Sequence, residues 1–447
     1  MPVSKRLMEH APAIDAPPQS LADYEATGGY KGLEKALKME PDAITQMVLE
    51  AGVRGRGGAG FPAGRKWSFV PKNTGKPIYL ACNADESEPG CFKDRQLMER
   101  VPHLLIEGCV MACRAIGAQA AFIYVRGEYP QSIAALEVAL IEARDKGLVG
   151  ENVMGSGWAC EVWVHQGAGA YICGEETGLL SSLEGGRGYP RIKPPFPAVE
   201  GLWSSPTIIN NVETLANVPV IVRDGVEAFR SVGDDDTAGT RLVGISGHVE
   251  NPGDVEIDPA TTTIRELIEV HAGGVWKGRK LKAVIPGGSS VPVLPADAID
   301  VPFTYGAVKE AGSLAGAGGV IVMDETTCMV DALMNLMQFY HHESCGQCTP
   351  CREGTGWLEK LVTRIWSGEG SERDIELLDR VADTIGGAQQ GKTICFLADS
   401  AVMPTKSFLK HFRDDFVKAV AEGGSPVFKA RRERPAKTST AAKTGAK

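Results

Sequence analysis

No apolar run in the 447 residues reaches bilayer length before charge or glycine interrupts it, so no membrane-spanning helix is expected. The stretch Met1–Ser20 is polar and carries proline, without the apolar core of a signal peptide, and the expected compartment is the cytoplasm or its equivalent. A surplus of positive charge is also missing. The net charge of −9 argues against nucleic acid as a main partner, because phosphate backbones are held by basic surfaces. Disulfides are not expected either: eleven cysteines in a reducing compartment point to free thiols and metal. What remains is ordinary globular composition, 43% hydrophobic and 23% charged, in a chain long enough for about three domains.

The most distinctive stretch is Val53–Trp67, where Gly55, Gly57, Gly58, Gly60 and Gly64, with Gly52 just before, crowd together with Arg54, Arg56 and Lys66. Glycine lets backbone approach a ligand closely, and free N–H groups among cations predict an anion cradle with a lysine beside the phosphate. Gly55, Gly57 and Gly60 spell G-x-G-x-x-G, but the run before them, Ala43–Glu50, has helical character, whereas the dinucleotide fingerprint follows a strand. No Gly-Lys-Ser/Thr follows, which excludes a P-loop here. A plain glycine-rich surface loop would have the same letters. Phe61 and Phe69 turn the reading toward a flat heteroaromatic ring carried on phosphate, a flavin or a nicotinamide nucleotide.

Along the chain, a polar lead-in with a helix over Lys31–Lys38 is followed by a helix over Ala43–Ala51, closed by Gly52. A strand over Pro77–Ala84 ends in Cys82-Asn83-Ala84-Asp85-Glu86-Ser87-Glu88-Pro89-Gly90, an acidic turn at the end of a strand, where open α/β sheets bind ligands. One long helix is predicted over Arg95–Ala115, with Cys109 and Cys113 as core thiols. Ala121–Val125, Gln131–Lys146 and Cys160–His165 alternate strand, helix and strand, which predicts an α/β domain with a mainly parallel sheet. A second glycine turn, from Gly167 to Gly174, opens a helix that begins near Glu175 and Glu176 and runs to about Leu183. Gly185–Pro197 combines Arg187, Arg191 and Lys193 with Phe196, and Asn210 and Asn211 offer amides. From Thr240 onward, a hairpin-plus-helix unit reads as a spacer or docking module, since it carries few catalytic residue types. The last third is helical, over Val330–His342, Thr355–Trp366, Glu372–Ile385 and roughly Thr405–Ala421. The tail Lys429–Lys447, seven cations against Glu433, reads as disordered.

Cys345, Cys348 and Cys351 are separated by two residues each, and Cys395 follows 44 positions beyond Cys351. This spacing lets three thiolates reach three corners of a cubane and leaves the fourth iron to a remote cysteine, which favours one 4Fe-4S cluster over zinc. His341 and His342 read as a solvated helix end, and the methionines Met329, Met334 and Met337 as core.

Four stretches together, Arg54-Gly-Arg-Gly-Gly-Ala-Gly-Phe-Pro, Asn83-Ala-Asp-Glu-Ser-Glu-Pro-Gly, Gly169-Ala-Tyr-Ile-Cys-Gly-Glu-Glu-Thr and Glu343-Ser-Cys-Gly-Gln-Cys-Thr-Pro-Cys-Arg-Glu-Gly, resemble the family of flavin-binding, NADH-oxidising subunits of respiratory complex I. The resemblance runs from about Tyr24 to Glu422. It implies an FMN- and NADH-binding α/β domain with its lead-in over 1–239, a ubiquitin-like β-grasp domain over 240–327, a helical 4Fe-4S domain over 328–424 and a disordered basic tail over 425–447. It places FMN at Gly55, Gly57, Lys66, Asn83, Asp85, Tyr171, Glu176, Asn210 and Asn211, with Gly58, Glu86, Gly174 and Glu175 in the same cofactor-binding stretches. NADH is implied at Phe61, Phe69, Phe196, Lys193 and Glu88, and the cluster at Cys345, Cys348, Cys351 and Cys395. Cys91 stands where serine or threonine is expected.

The implied chemistry is hydride transfer from NADH to FMN without a protein acid or base, then single-electron transfer through the cluster toward quinone. The implied partners are other peripheral-arm subunits, especially the small 2Fe-2S subunit and the large iron-sulfur subunit, with the assembly peripheral on the inner face of the cell membrane. A related soluble hydrogenase or formate dehydrogenase would share the chemistry, and a scaffold that has lost its flavin would share the cysteines alone.

Overall fold

The structure, a computed structural model, describes residues 6–433, and the rest of the expected tail lies outside them. Helix α1 (Lys31–Leu37) leads into α2 (Pro41–Ala51), which starts on a proline at its first position and ends on Gly52 in the left-handed conformation. After the glycine-rich loop come β1 (Tyr79–Ala84), α3 (Lys93–Arg100), α4 (Pro102–Ile116), β2 (Ala120–Val125), α5 (Pro130–Asp145) and β3 (Glu161–Gln166). The expected single helix over Arg95–Ala115 is two helices. They break at Val101, because Pro102 disfavours helical backbone in the residue before it and suits the first turn of the next helix. Next stand α6 (Glu176–Leu183), β4 (Thr207–Asn211) and α7 (Val212–Asp224), whose first turn is capped by the Asn211 side chain.

These four strands form an all-parallel sheet in the order β3-β2-β1-β4. The chain winds outward from β1 to β3 and then returns to the other side of β1. The junction of β1 and β4 is therefore the switch point where ligands of open parallel sheets bind, beyond the strands' carboxyl ends. There Asn83 pairs in register with Asn211, and the acidic turn leaves β1.

The middle unit is a five-stranded mixed sheet in the order β6-β5-β9-β7-β8, built from β5 (Arg241–Gly247), β6 (Gly253–Ile257), β7 (Leu281–Ile285), β8 (Leu294–Pro295) and β9 (Gly319–Asp324). Four longer helices follow: α8 (Met329–Glu343), α9 (Thr349–Ser367), α10 (Glu372–Ile385) and α11 (Leu397–Ala421). Helix α9 begins six residues earlier than expected, since Pro350 sits in its first turn, and α11 runs through Pro404 rather than starting after it. Residues expected to open the disordered tail instead form α12 (Pro426–Glu433), where Phe428 packs edge-on against Trp366 at 4.8 Å between ring centres.

Each unit has its own apolar core, and a fourth cluster joins the first to the last. In it Ala81, Tyr124, Ile172 and Leu180 from the parallel sheet and its loops meet Cys351, Cys395 and Leu397. Among the described residues no helix is long and apolar enough to cross a membrane.

Candidate functional site

A cavity of about 750 Å³ opens at the carboxyl ends of β1 and β4. Its lining includes Gly57 and Gly58 from the glycine loop, Asn83, Asp85, Glu88, Asp94 and Asn211 from the ends of β1 and β4 and the segment after β1, and Tyr171, Gly174 and Glu175 from the second glycine turn. Gly58 has φ +125°, and no atom lies within 4 Å of the point where a side chain would begin, so only glycine leaves this space open to a ligand. Gly57 is equally constrained on its other side, where a Cβ would stand 3.0 Å from Asn211 Cβ.

The three cations expected to complete an anion cradle are engaged elsewhere. Arg54 turns back to the Gly60 carbonyl and pairs with Asp236. Arg56 is wholly buried and donates to the Ala238 and Thr240 carbonyls, so it anchors the loop to the β-grasp unit. Lys66 donates to Glu176 at 2.7 Å and to the Ile209 carbonyl at 2.9 Å. Among the described residues no Lys or Arg lines the cavity, so a phosphate held here would meet backbone N–H groups rather than side-chain charge.

Several carboxylates line the cavity, and most are engaged by donors. Glu86 accepts from the amides of Asp94 and Arg95, capping the start of α3, and burial raises its carboxyl to about 7. Glu175 caps α6 through the Thr177 and Gly178 amides and accepts from Lys193 at 2.8 Å. Glu176, drawn in by Lys66 and Lys193, is held down at about 2 although burial alone would raise it. Asp94 accepts from Lys93 at 2.7 Å and from the Asn211 amide at 2.5 Å. Lys93 reaches Glu213 at 2.7 Å as well, and all three side chains are nearly inaccessible. Asp85 differs: desolvation raises its carboxyl to about 7, one oxygen is taken by Ser87, and its buried Oδ2 has no partner among the described residues. Such an orphan in an open cavity asks for a ligand donor, and a flavin ring edge or sugar hydroxyl provides one.

The other candidates divide. Gly55 is folded against the β-grasp unit, its carbonyl accepting from the Tyr305 hydroxyl at 2.9 Å. Asn210 is buried and accepts from Trp67 Nε1 at 2.7 Å, so it supports the glycine loop rather than lining the cavity. Asn83 donates to the Gly174 carbonyl at 2.8 Å and ties the two turns together. Phe61 and Phe69 lie 6.1 Å apart at their ring centres and are, like Phe196, about half exposed, outside the cavity proper. Exposed aromatic faces of this kind suit stacking on a flat ring.

Sequence reasoning missed the whole β-grasp wall. Gly287, Ser290, Val291, Leu314, Gly316 and Ala317 line the cavity, which removes the reading of that unit as a spacer. None of the six carries a charged or catalytic side chain, and two are glycines, so they leave little side-chain signature; the run Pro286-Gly-Gly-Ser-Ser was the available signal.

A second, small cavity is lined by Cys345, Cys348, Cys351 and Cys395 together with Ile172, Pro190 and Leu397. Among the described residues no three His, Cys, Asp or Glu side chains converge as they would on a single ion. Four thiols spread around one space fit a cluster, in which each iron takes one thiolate. Burial pushes the Cys351 and Cys395 thiols up to about 12, so they hold their protons until iron supplies the opposing charge. Ile172, Cys395 and Leu397 line both cavities.

The chain is similar to known proteins over nearly all its length. Residues 48–220 match the Nuo51 FMN-binding domain, 241–322 the SLBB domain, and 331–419 the NADH-ubiquinone oxidoreductase-F iron-sulfur binding region. It is 53% identical to one NADH-quinone oxidoreductase F subunit of Rhizobium meliloti, that numbered 2, over 91% of this chain and 96% of that one. It is 49% identical to the NADH-quinone oxidoreductase F subunit of Streptomyces coelicolor, over 90% and 88%. A crystal structure of a NAD+-reducing NiFe hydrogenase superposes with TM-score 0.78 at 35% identity, covering 92% of this chain and 70% of that one. Sequence, fold and the two adjoining cavities agree: this chain belongs to the family of NADH-quinone oxidoreductase F subunits, with an FMN-binding domain and a 4Fe-4S region.

Proposed function

We propose that Gly57, Gly58, Asn83, Asp85, Tyr171, Gly174, Glu175 and Asn211 hold FMN, that Glu88 meets the nicotinamide end of NADH, and that Phe61, Phe69, Phe196 and Lys193 receive its adenosine end. FMN supplies the exchange between a two-electron hydride and one-electron carriers, which the protein's own side chains cannot perform. The chain's part is to hold cofactor and substrate in register and to exclude water. The Asp85 Oδ2 acceptor and the glycine wall serve the first, and the walls of the three units serve the second. No side chain is needed as acid or base.

The observation that carries this reading is the shared wall. Cys395 reaches the flavin cavity from one side and belongs to the cluster cavity on the other, with Ile172 and Leu397 as packing between. Cys351 and Cys395 are buried, whereas Cys345 and Cys348 are only partly so. Cys395 would hold the cluster on the side facing the flavin cavity, and Cys345 and Cys348 would hold it on the more open side, where a partner could receive single electrons. The partner is an iron-sulfur subunit of a complex I peripheral arm, the small 2Fe-2S or the large iron-sulfur subunit, which brings the chain to the cytoplasmic face of the membrane.

Anaerobic titration of the purified protein with NADH, followed by absorption and electron paramagnetic resonance, tests the path. Bleaching of flavin bands together with a new reduced-cluster signal is expected. A chain that binds no flavin would overturn the reading.

A further inference from the structure

The first unit and the β-grasp loop meet at Glu88, and the helical unit reaches it through one hydroxyl. Its carboxylate accepts from the Tyr171 hydroxyl at 2.7 Å and from the Ser290 amide at 2.6 Å, and the Ser289 hydroxyl stands 3.4 Å away. The β-grasp loop can come this close because Gly288, at φ +96°, has no side chain: a Cβ there would fall 2.5 Å from Glu88 Cγ. Ser289 and Tyr340 are both fully buried, and their hydroxyls lie 2.7 Å apart. Tyr340 sits in the last turns of α8, just ahead of the Cys345 loop.

Proton counting orients this chain of hydroxyls. Were Ser289 to donate to Tyr340, the phenol proton would be buried without an acceptor, since among the described residues its hydroxyl makes no other hydrogen bond. With Tyr340 donating to Ser289 and Ser289 to Glu88, every proton has an acceptor and the carboxylate gains a third donor. We propose that Ser289 and Tyr340 are positioning residues for the substrate site. They hold Glu88 ionised and aimed into the cavity, so that the β-grasp loop and the helix leading to the cluster set the affinity for NADH. This rests on the reading of Glu88 as a nicotinamide contact. The titratable groups facing Glu88 are the Tyr171 and Tyr340 phenols and the Cys91 thiol. Burial keeps all three neutral and raises the Glu88 carboxyl above its ordinary value. Asp85 and Glu86 titrate at about 7 in the same cavity but are common to wild type and variants, so the difference between their acid limbs reports Glu88.

The test uses the full chain loaded with flavin and cluster, oxidising NADH with an artificial acceptor between pH 5.5 and 8. Ser289→Ala and Tyr340→Phe are each expected to raise KM roughly three- to tenfold, the worth of one ordinary hydrogen bond, with kcat within about twofold. A carboxylate that loses a donor binds its proton more tightly, so the acid limb of kcat/KM should move to higher pH in both. Ser289→Thr should restore both quantities. In a Glu88→Gln background Ser289→Ala should add almost nothing, because the pair acts through one group. Unchanged KM and acid limb in both variants, or full additivity with Glu88→Gln, would overturn the proposal. A Glu88→Gln enzyme with ordinary KM would instead sink the underlying reading of Glu88.

Discussion

Replacing Lys93 by methionine probes the buried charges beneath the flavin cavity. The ammonium is 1% exposed and lies 2.7 Å from both Asp94 and Glu213, carboxylates exposed by 4% and 0%. Methionine keeps most of the volume and removes the charge. Two acids are then left facing each other in a dry interior, with Arg56 3.9 Å from Glu213 as the nearest remaining cation. Breaking one partner out of a buried ion pair costs about 3–5 kcal/mol. For a unit of 150–250 residues each kcal/mol moves the midpoint by about 2–4 °C, so Lys93→Met should lower the unfolding temperature of the first unit by roughly 6–20 °C. The sign of the pH dependence follows from the stranded acids. Their folded pKa values rise above the unfolded ones, so the variant is least impaired where they are protonated, near pH 5, and loses stability as pH climbs. Differential scanning calorimetry from pH 5 to 8, with Lys93→Met/Glu213→Gln as a partial rescue, measures this. A variant within 1 kcal/mol of wild type at every pH, or one not improved by Glu213→Gln, would refute the ion-pair account.

Cys348 lines only the cluster cavity, whereas Cys395 lines both. Cys348→Ala should abolish the reduced-cluster resonance and leave the flavin bound, while Cys395→Ala should also weaken flavin retention; equal flavin content in the two variants would count against the shared wall. Gly58→Val projects a branched side chain into the cavity from a backbone at φ +125°. It should empty the site of FMN, read by released fluorescence, with a stability cost of only about 1–3 kcal/mol. Asp85 titrates at about 7 because it is desolvated with Oδ2 unpaired. A donor from FMN favours its ionised form, so flavin affinity of the stripped protein should rise as pH rises through 7, and Asp85→Asn should flatten that dependence in a fluorescence-quenching titration.

The parallel sheet was legible because its strands are short apolar runs alternating with helical periods. The glycine loop, the acidic turn and the cysteine spacing were legible because each needs particular residue types. What escaped depends on where side chains point once folded. Arg54, Arg56 and Lys66 surround the glycines in sequence yet turn outward or inward to other partners. Strand β4 is five residues long and ends in two asparagines, too brief and too polar at its end to show a period. The break at Val101 was readable from Pro102, and the helical periodicity on both sides masked it. The β-grasp contribution comes from the loop after β7 and the loop before β9, residues without charge that only the topology brings to the cavity.

An acidic wall around a dianionic cofactor looks repulsive until its protons and donors are counted. Six carboxyls line the flavin cavity, Asp85, Glu86, Glu88, Asp94, Glu175 and Asp399, with no lysine or arginine among the described lining residues. Asp85 and Glu86 titrate near 7 and are partly neutral in the cell. Glu175 and Asp399 are turned onto backbone amides, Asp94 onto Lys93, and Glu88 onto a phenol, an amide and a serine. The cations stand one layer back, as Lys66, Lys93 and Lys193, where they neutralise carboxylates rather than ligand. The cavity thus presents near-neutral, fixed dipoles whose orientation is set before anything binds. That arrangement suits the proposed reaction, in which a nicotinamide would gain positive charge as its hydride leaves: Glu88, fixed by donors from Tyr171 and the Ser289–Ser290 loop, would face that charge without having to reorganise.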